Sequence, residues 1–207
     1  MSIFTTDTKH TGPSGLTGMP LNLPNILTWM RIGMIPLFIV VFYLPAPWDS
    51  WAFPLSAIIF AVAGLTDAVD GYLARRLNQQ SRFGAFLDPV ADKLMVAAAL
   101  VLIVAEHGDG SFVLALPAII IIGREIAISA LREWMAEIGE RRKVAVSGLG
   151  KLKTILQMVA IFALLYFEPI LGLPTFKIGI VLLYAAALMT LLSMAGYMRA
   201  AFGNQTG

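Results

Sequence analysis

Four aspartates dominate the chemistry available to this sequence: Asp67, Asp70, Asp88 and Asp92. The first two close one long apolar run and the second two open the next. Their spacings are i,i+3 and i,i+4, so on helices each pair lies on one face. A short connection joins the two runs, which lets those faces meet. Two unit charges about 4 Å apart repel by ~4 kcal/mol at an effective dielectric near 20. Four converging carboxylates therefore either hold protons or share cations. Oxygen-only donors suit Mg²⁺ or Mn²⁺, and two such ions could be shared among the four. The plainer alternative pairs the aspartates with Arg75, Arg82 and Lys93, with Asp88 capping a helix start ahead of Pro89. Between the pairs stand Gly71, Ala74, Arg75, Ser81 and Gly84. Small residues let a ligand approach the backbone, and Arg75 offers a cation to a phosphate. Loop flexibility alone would explain each glycine.

The elements that must position these residues follow from composition. Of 207 residues, 58% are apolar and 14% charged, against roughly half and a quarter in ordinary soluble domains. That excludes intrinsic disorder and argues against a soluble single-core domain. The absence of cysteine excludes a disulfide scaffold and thiolate chemistry. Nucleic-acid binding fits poorly, because the basic residues have no soluble surface to decorate. A bilayer core asks for about 20 mostly apolar residues per helix. Six runs qualify: 25–43, 51–73, 86–105, 112–133, 152–167 and 176–198. The third and fourth contain charges, and the fifth is short. The reading is an all-α, polytopic membrane protein with six transmembrane helices. Residues 1–20 read as a flexible tail, 21–200 as the membrane domain and 201–207 as a C-terminal tail. No segment reads as a cleaved signal peptide.

Orientation follows from Lys and Arg. The connections 44–50 and 105–111 have none, and 168–177 has Lys177 alone. The opposite connections contain Arg75, Arg76, Arg82, Arg141, Arg142, Lys143 and Lys151, with Lys9 and Arg199 in the tails. Both termini are therefore expected in the cytoplasm. A purely topogenic role accounts for Arg141, Arg142 and Lys143. Trp29, Trp48, Trp51 and Trp134 lie near helix ends, where aromatic belts form. His10 and His107 read as incidental surface histidines.

The run Asp67-Ala68-Val69-Asp70-Gly71-Tyr72-Leu73-Ala74-Arg75, eight residues, Gly84, three residues, Asp88, three residues, Asp92 resembles without a gap the signature of the CDP-alcohol phosphotransferase family. Asn22 to Thr28 with Arg31, Leu87 to Lys93, Gly123 to Ile126, Leu131 to Glu133 and Gly150 to Thr154 resemble the bacterial branch whose acceptor is glycerol 3-phosphate. The resemblance implies transfer of a phosphatidyl group from CDP-diacylglycerol to an alcohol, with release of CMP. It implies that Asp67, Asp70 and Asp88 hold two Mg²⁺ or Mn²⁺ ions, with Asp92 near the second, and that Asp92 takes the acceptor proton. Gly71, Arg75 and Ser81 would contact the CDP moiety, with Ala74 and Gly84 supplying space. A homodimer in the bacterial inner membrane, with its site facing the cytoplasm, is also implied.

An acceptor carrying its own phosphate needs cations at the cytoplasmic helix ends. Arg31, Arg124 and Lys151 meet that requirement, with Lys153 and Arg132 as secondary candidates. The alternative for Arg124 is an ion pair with Glu125 or a motif aspartate. Two other functions stay open on the residues alone: a relative using another acceptor, such as inositol phosphate, another polyol or phosphatidylglycerol, and a cation transporter. A transport site belongs near the midplane, whereas these aspartates cluster at one end.

Overall fold

The computed structural model describes residues 23–77, 82–107, 111–139 and 148–202. Within them, side chains at several site-proximal positions, residues 70–77, 82–86, 88 and 148–151 among them, lie outside the described set. Six helices are formed: α1 Leu23–Phe42, α2 Asp49–Leu77, α3 Arg82–Glu106, α4 Ser111–Glu137, α5 Gly148–Tyr166 and α6 Thr175–Phe202. Each predicted apolar run maps onto one of them. Every helix extends past its apolar run at the end bearing the charged motifs, because good helix formers such as Leu77 and Arg82 carry the backbone past the apolar stretch.

One expectation is corrected. Asp88 does not cap a helix start; α3 begins at Arg82, and Pro89 lies inside it. A proline removes one backbone bond, and packing against neighbouring helices holds the turns on either side.

Among the described residues, three stretches are long and apolar enough to cross a bilayer: Asp49–Asp67, Phe112–Glu137 and Thr175–Arg199. Thr28–Phe42 and Leu152–Tyr166 are shorter apolar helices. Large apolar side chains cover the outside, as at Val40, Ile119, Val181 and Leu192. Apolar exposure on this scale marks a surface made for lipid or partner contact.

Helix neighbours run α1–α2–α5–α6–α4–α3 and back to α1, closing a ring, with α3 also touching α5 across it. Small residues let the helices approach. Buried Phe38, Phe60, Ala99, Leu100, Ile121, Ile161, Leu164, Leu183 and Ala186, drawn from all six helices, form one continuous core. Gly179 on α6 meets α5 so closely that a Cβ there would lie 2.9 Å from Leu164 Cγ and 3.2 Å from Ala163 Cβ. Gly179→Ala is expected to destabilise the bundle by about 1–3 kcal/mol through overpacking. A lowered thermal midpoint in detergent checks this.

His107 is not an isolated surface histidine. Its Nδ1 lies 2.9 Å from the Ile103 carbonyl oxygen, and its ring stacks on Phe176 with centroids 4.7 Å apart. Phe167 and Phe53 continue this aromatic cluster. The ring is recruited by residues distant in sequence, which no local pattern reveals.

Candidate active site

The antiparallel course of consecutive helices brings the starts of α1, α3 and α5 to the same end as the finishes of α2, α4 and α6. The polar residues gather in that half. Asp67 stands ten residues before the end of α2, and Asp92 ten residues after the start of α3. At about 1.5 Å per residue, the two carboxylates are level in the hairpin. Asp70 and Asp88 are seven and six residues from the same ends. Their backbones are helical; their side chains lie outside the described residues.

Asp92 is half-buried, and the charges acting on it are those of Asp67, Arg31, Glu125 and Lys93. The α2 and α3 carboxylates are thus electrostatic neighbours. Arg31, buried on α1, reaches Asp67 with Nη1 2.7 Å from Oδ1. This ion pair joins α1 to the first motif aspartate. It differs from the pairing with Arg75, Arg82 or Lys93 weighed from sequence, because α1 packs on both α2 and α3.

Opposite Asp92 lies a second charged cluster. Arg124 on α4 and Lys153 on α5 are both buried. Arg124 Nη1 donates to Glu125 Oε1 at 3.0 Å, and Lys153 Nζ donates to the same oxygen at 2.5 Å. Arg124 Nη2 also donates to Ser193 Oγ on α6 at 3.1 Å, and its guanidinium lies 5.5 Å from the centre of the Tyr197 ring. The partner weighed for Arg124, Glu125, is the one it has, but Lys153 shares that partner. Two cations on one anion leave a net positive charge. The Nε of Arg124 is buried without a partner. Such an arrangement is ready for a further anion.

Lys153 was a secondary candidate in the sequence and proves central to this cluster. Arg132 lies over the opposite part of the arrangement, with its guanidinium 5.7 Å from the Tyr197 ring centre. Lys93 donates to Ser129 Oγ, tying α3 to α4. Ser129 donates in turn to the Glu125 carbonyl at 2.5 Å. A recess of about 60 Å³ is lined by Asp92, Lys93, Val96, Glu125, Thr154, Gln157 and Met158. Glu125, Lys93 and Gln157 were missed as site residues in the sequence. The i,i+4 spacing of Lys153 and Gln157 on an apolar helix was the available signal.

Gly71, Ala74, Arg75, Gly84 and Lys151 lie on helices with their surroundings outside the described residues, and Ser81 is outside them altogether. Among the described residues, no three acidic or histidine side chains form a metal cluster. Asp67 on α2 and Asp92 on α3, close enough to feel each other's charge, nevertheless offer oxygen-only donors of the kind suited to Mg²⁺ or Mn²⁺.

An apolar all-helical bundle that gathers carboxylates and cations around one internal recess is the architecture of a membrane-embedded enzyme acting on charged substrates. The chain belongs to the CDP-alcohol phosphatidyltransferase family, whose sequence profile matches residues 21–195. It is 54% identical over 186 residues to the CDP-diacylglycerol–glycerol-3-phosphate 3-phosphatidyltransferase of Salmonella typhimurium, covering 90% of this chain and 98% of that one. It is also 54% identical over 183 residues to the enzyme of that name from Escherichia coli, covering 88% and 96% respectively.

Proposed function

We infer that this protein transfers the phosphatidyl group of CDP-diacylglycerol to glycerol 3-phosphate, giving phosphatidylglycerophosphate and CMP. The observation that carries the reading is the juxtaposition of Asp67 and Asp92 with the Arg124–Glu125–Lys153 cluster. Carboxylates suit the metal-bound pyrophosphate of one substrate. Buried cations suit the phosphate of the other. The names of relatives 54% identical over nearly their whole length support the same reaction.

Each residue has a task. Asp67, Asp70, Asp88 and Asp92 would hold two Mg²⁺ or Mn²⁺ ions, which would supply charge to offset that growing on the departing CMP. Arg31 orients Asp67 from α1. Gly71, Ala74, Arg75, Ser81 and Gly84 accommodate the CDP moiety. Arg124 and Lys153 hold the acceptor phosphate, with Lys151 two residues before Lys153 on α5 and Arg31 on α1. Asp92 accepts the proton of the attacking hydroxyl. The acceptor oxygen bonds to the lipid-side phosphorus, and the bond to the CMP oxygen breaks.

The chain spans the bacterial inner membrane six times and acts as a homodimer. Residues 21–200 form the membrane domain, flanked by tails at 1–20 and 201–207. Both termini and the site face the cytoplasm. Arg31, Asp67, Asp92 and Lys153 lie in the halves of their helices nearer the Lys- and Arg-rich connections, with Arg124 at the middle of α4, which supports this orientation.

Product analysis of the purified protein with labelled CDP-diacylglycerol and a panel of phosphorylated and unphosphorylated acceptors tests the reaction. Phosphatidylglycerophosphate is the expected product, and a strong preference for inositol phosphate or a neutral polyol would overturn the acceptor. Removal of divalent cations is expected to abolish transfer, and Mg²⁺ or Mn²⁺ to restore it. Full activity in excess chelator would refute the metal assignment.

A further inference from the structure

Gln157 stands out among the polar residues of the bundle. It lies on α5, only 5% exposed, and its Oε1 is buried without a hydrogen-bond partner. A buried amide oxygen left unpaired is costly, and such atoms are few in native proteins. This one belongs to a side chain lining the recess that also contains Asp92 and Glu125. The recess is about 60 Å³, against the roughly 10–15 Å³ needed for a single water. It therefore has room for a small polar fragment rather than one solvent molecule.

Position on the helix narrows what that fragment is. Gln157 follows Lys153 by four residues and so stands just over one turn, about 6 Å, farther along the same face of α5. Lys153 sits on Glu125 at the cationic cluster, while Gln157 and Asp92 share the recess. A three-carbon acceptor with its phosphate at Arg124 and Lys153 extends along α5 into that space. Its attacking hydroxyl belongs at Asp92. The remaining hydroxyl, on the middle carbon, then meets the unpaired oxygen of Gln157.

We propose that Gln157 is a specificity residue whose Oε1 accepts a hydrogen bond from the non-reacting hydroxyl of the acceptor, so that the site selects a vicinal diol phosphate over a simple hydroxyalkyl phosphate. The proposal rests on glycerol 3-phosphate being the acceptor. A substrate lacking that hydroxyl leaves the amide oxygen unpaired, which is how a polar site rejects an analogue it could otherwise contain.

The test compares kcat/KM for glycerol 3-phosphate and for 3-hydroxypropyl phosphate, which keeps the phosphate and the reactive hydroxyl but lacks the middle one. The wild-type protein is expected to prefer glycerol 3-phosphate by about 10–100-fold, the range for one buried hydrogen bond. In Gln157→Met, a length-matched apolar change, that ratio is expected to collapse towards one. In Gln157→Glu, which keeps an accepting oxygen, both rates fall through charge repulsion but the preference survives. A change of merely structural importance would lower both substrates alike and leave the ratio intact. A wild-type ratio near one, or an unchanged ratio in Gln157→Met, overturns the proposal. Should that variant fail to accumulate, loss of the preference in Gln157→Glu also overturns it, and the wild-type ratio stands as a test by itself. Failure of the wild-type protein to use either phosphate overturns instead the acceptor assignment on which the proposal stands.

Discussion

Asp92→Asn is expected to bind CDP-diacylglycerol with nearly wild-type affinity while its turnover falls about 10²–10⁴-fold, the usual contribution of a positioned general base. Asparagine keeps the shape of the side chain and can still offer an oxygen to a cation. It cannot accept a proton. Asp92 lines the recess shared with Gln157, whereas Asp67 is ion-paired with Arg31. Asp67→Asn and Asp88→Asn are expected to weaken metal and CDP-lipid binding together, because each removes ligand charge. Calorimetric binding of CDP-lipid alongside turnover, at saturating Mg²⁺, separates the roles. Loss of lipid binding in Asp92→Asn as severe as in Asp88→Asn would make Asp92 chiefly a ligand. Near-normal turnover would remove the base from the mechanism.

Arg124→Ala should raise the KM for glycerol 3-phosphate about 10–100-fold, the consequence of losing one charged hydrogen bond of ~1.5–3 kcal/mol. The KM for the CDP-lipid should change far less. The charge arithmetic of the cluster supports this split. Arg124 and Lys153 share Glu125, so removing the arginine leaves a neutral Lys–Glu pair with little attraction for a phosphate. Arg124→Lys should recover only part of the loss, because an ammonium cannot replace the fork that reaches both Glu125 and Ser193. Equal increases for both substrates would assign Arg124 a structural role joining α4 to α6.

Much of this protein was legible before any helix was placed. The lengths of the apolar runs identify six helices, since periodicity and length are local properties. The spacing of Asp67, Asp70, Gly71, Ala74, Arg75, Gly84, Asp88 and Asp92 carries the family, because it is a local pattern readable along the chain. Asp88 ahead of Pro89 offers a local helix-start signal, but α3 begins at Arg82 and runs through Pro89, since a proline marks a helix start only when packing does not carry the helix through it.

The acceptor side was a different matter. Arg124 declared itself as a charge beside an apolar run, but its partners were ambiguous. Glu125 follows it directly, while Lys153, Ser193 and Tyr197 come from helices far along the chain. Gln157 carried no signal beyond its spacing from Lys153. Its unpaired oxygen becomes visible only when α3, α4 and α5 enclose it. The sequence by itself determined the helices and the aspartate motif, because these depend on neighbours within a hairpin. Only the tertiary structure decided which cations share Glu125, that Arg31 rests on Asp67 and that Gln157 lines the recess, because burial and pairing are set by which non-adjacent helices close the ring.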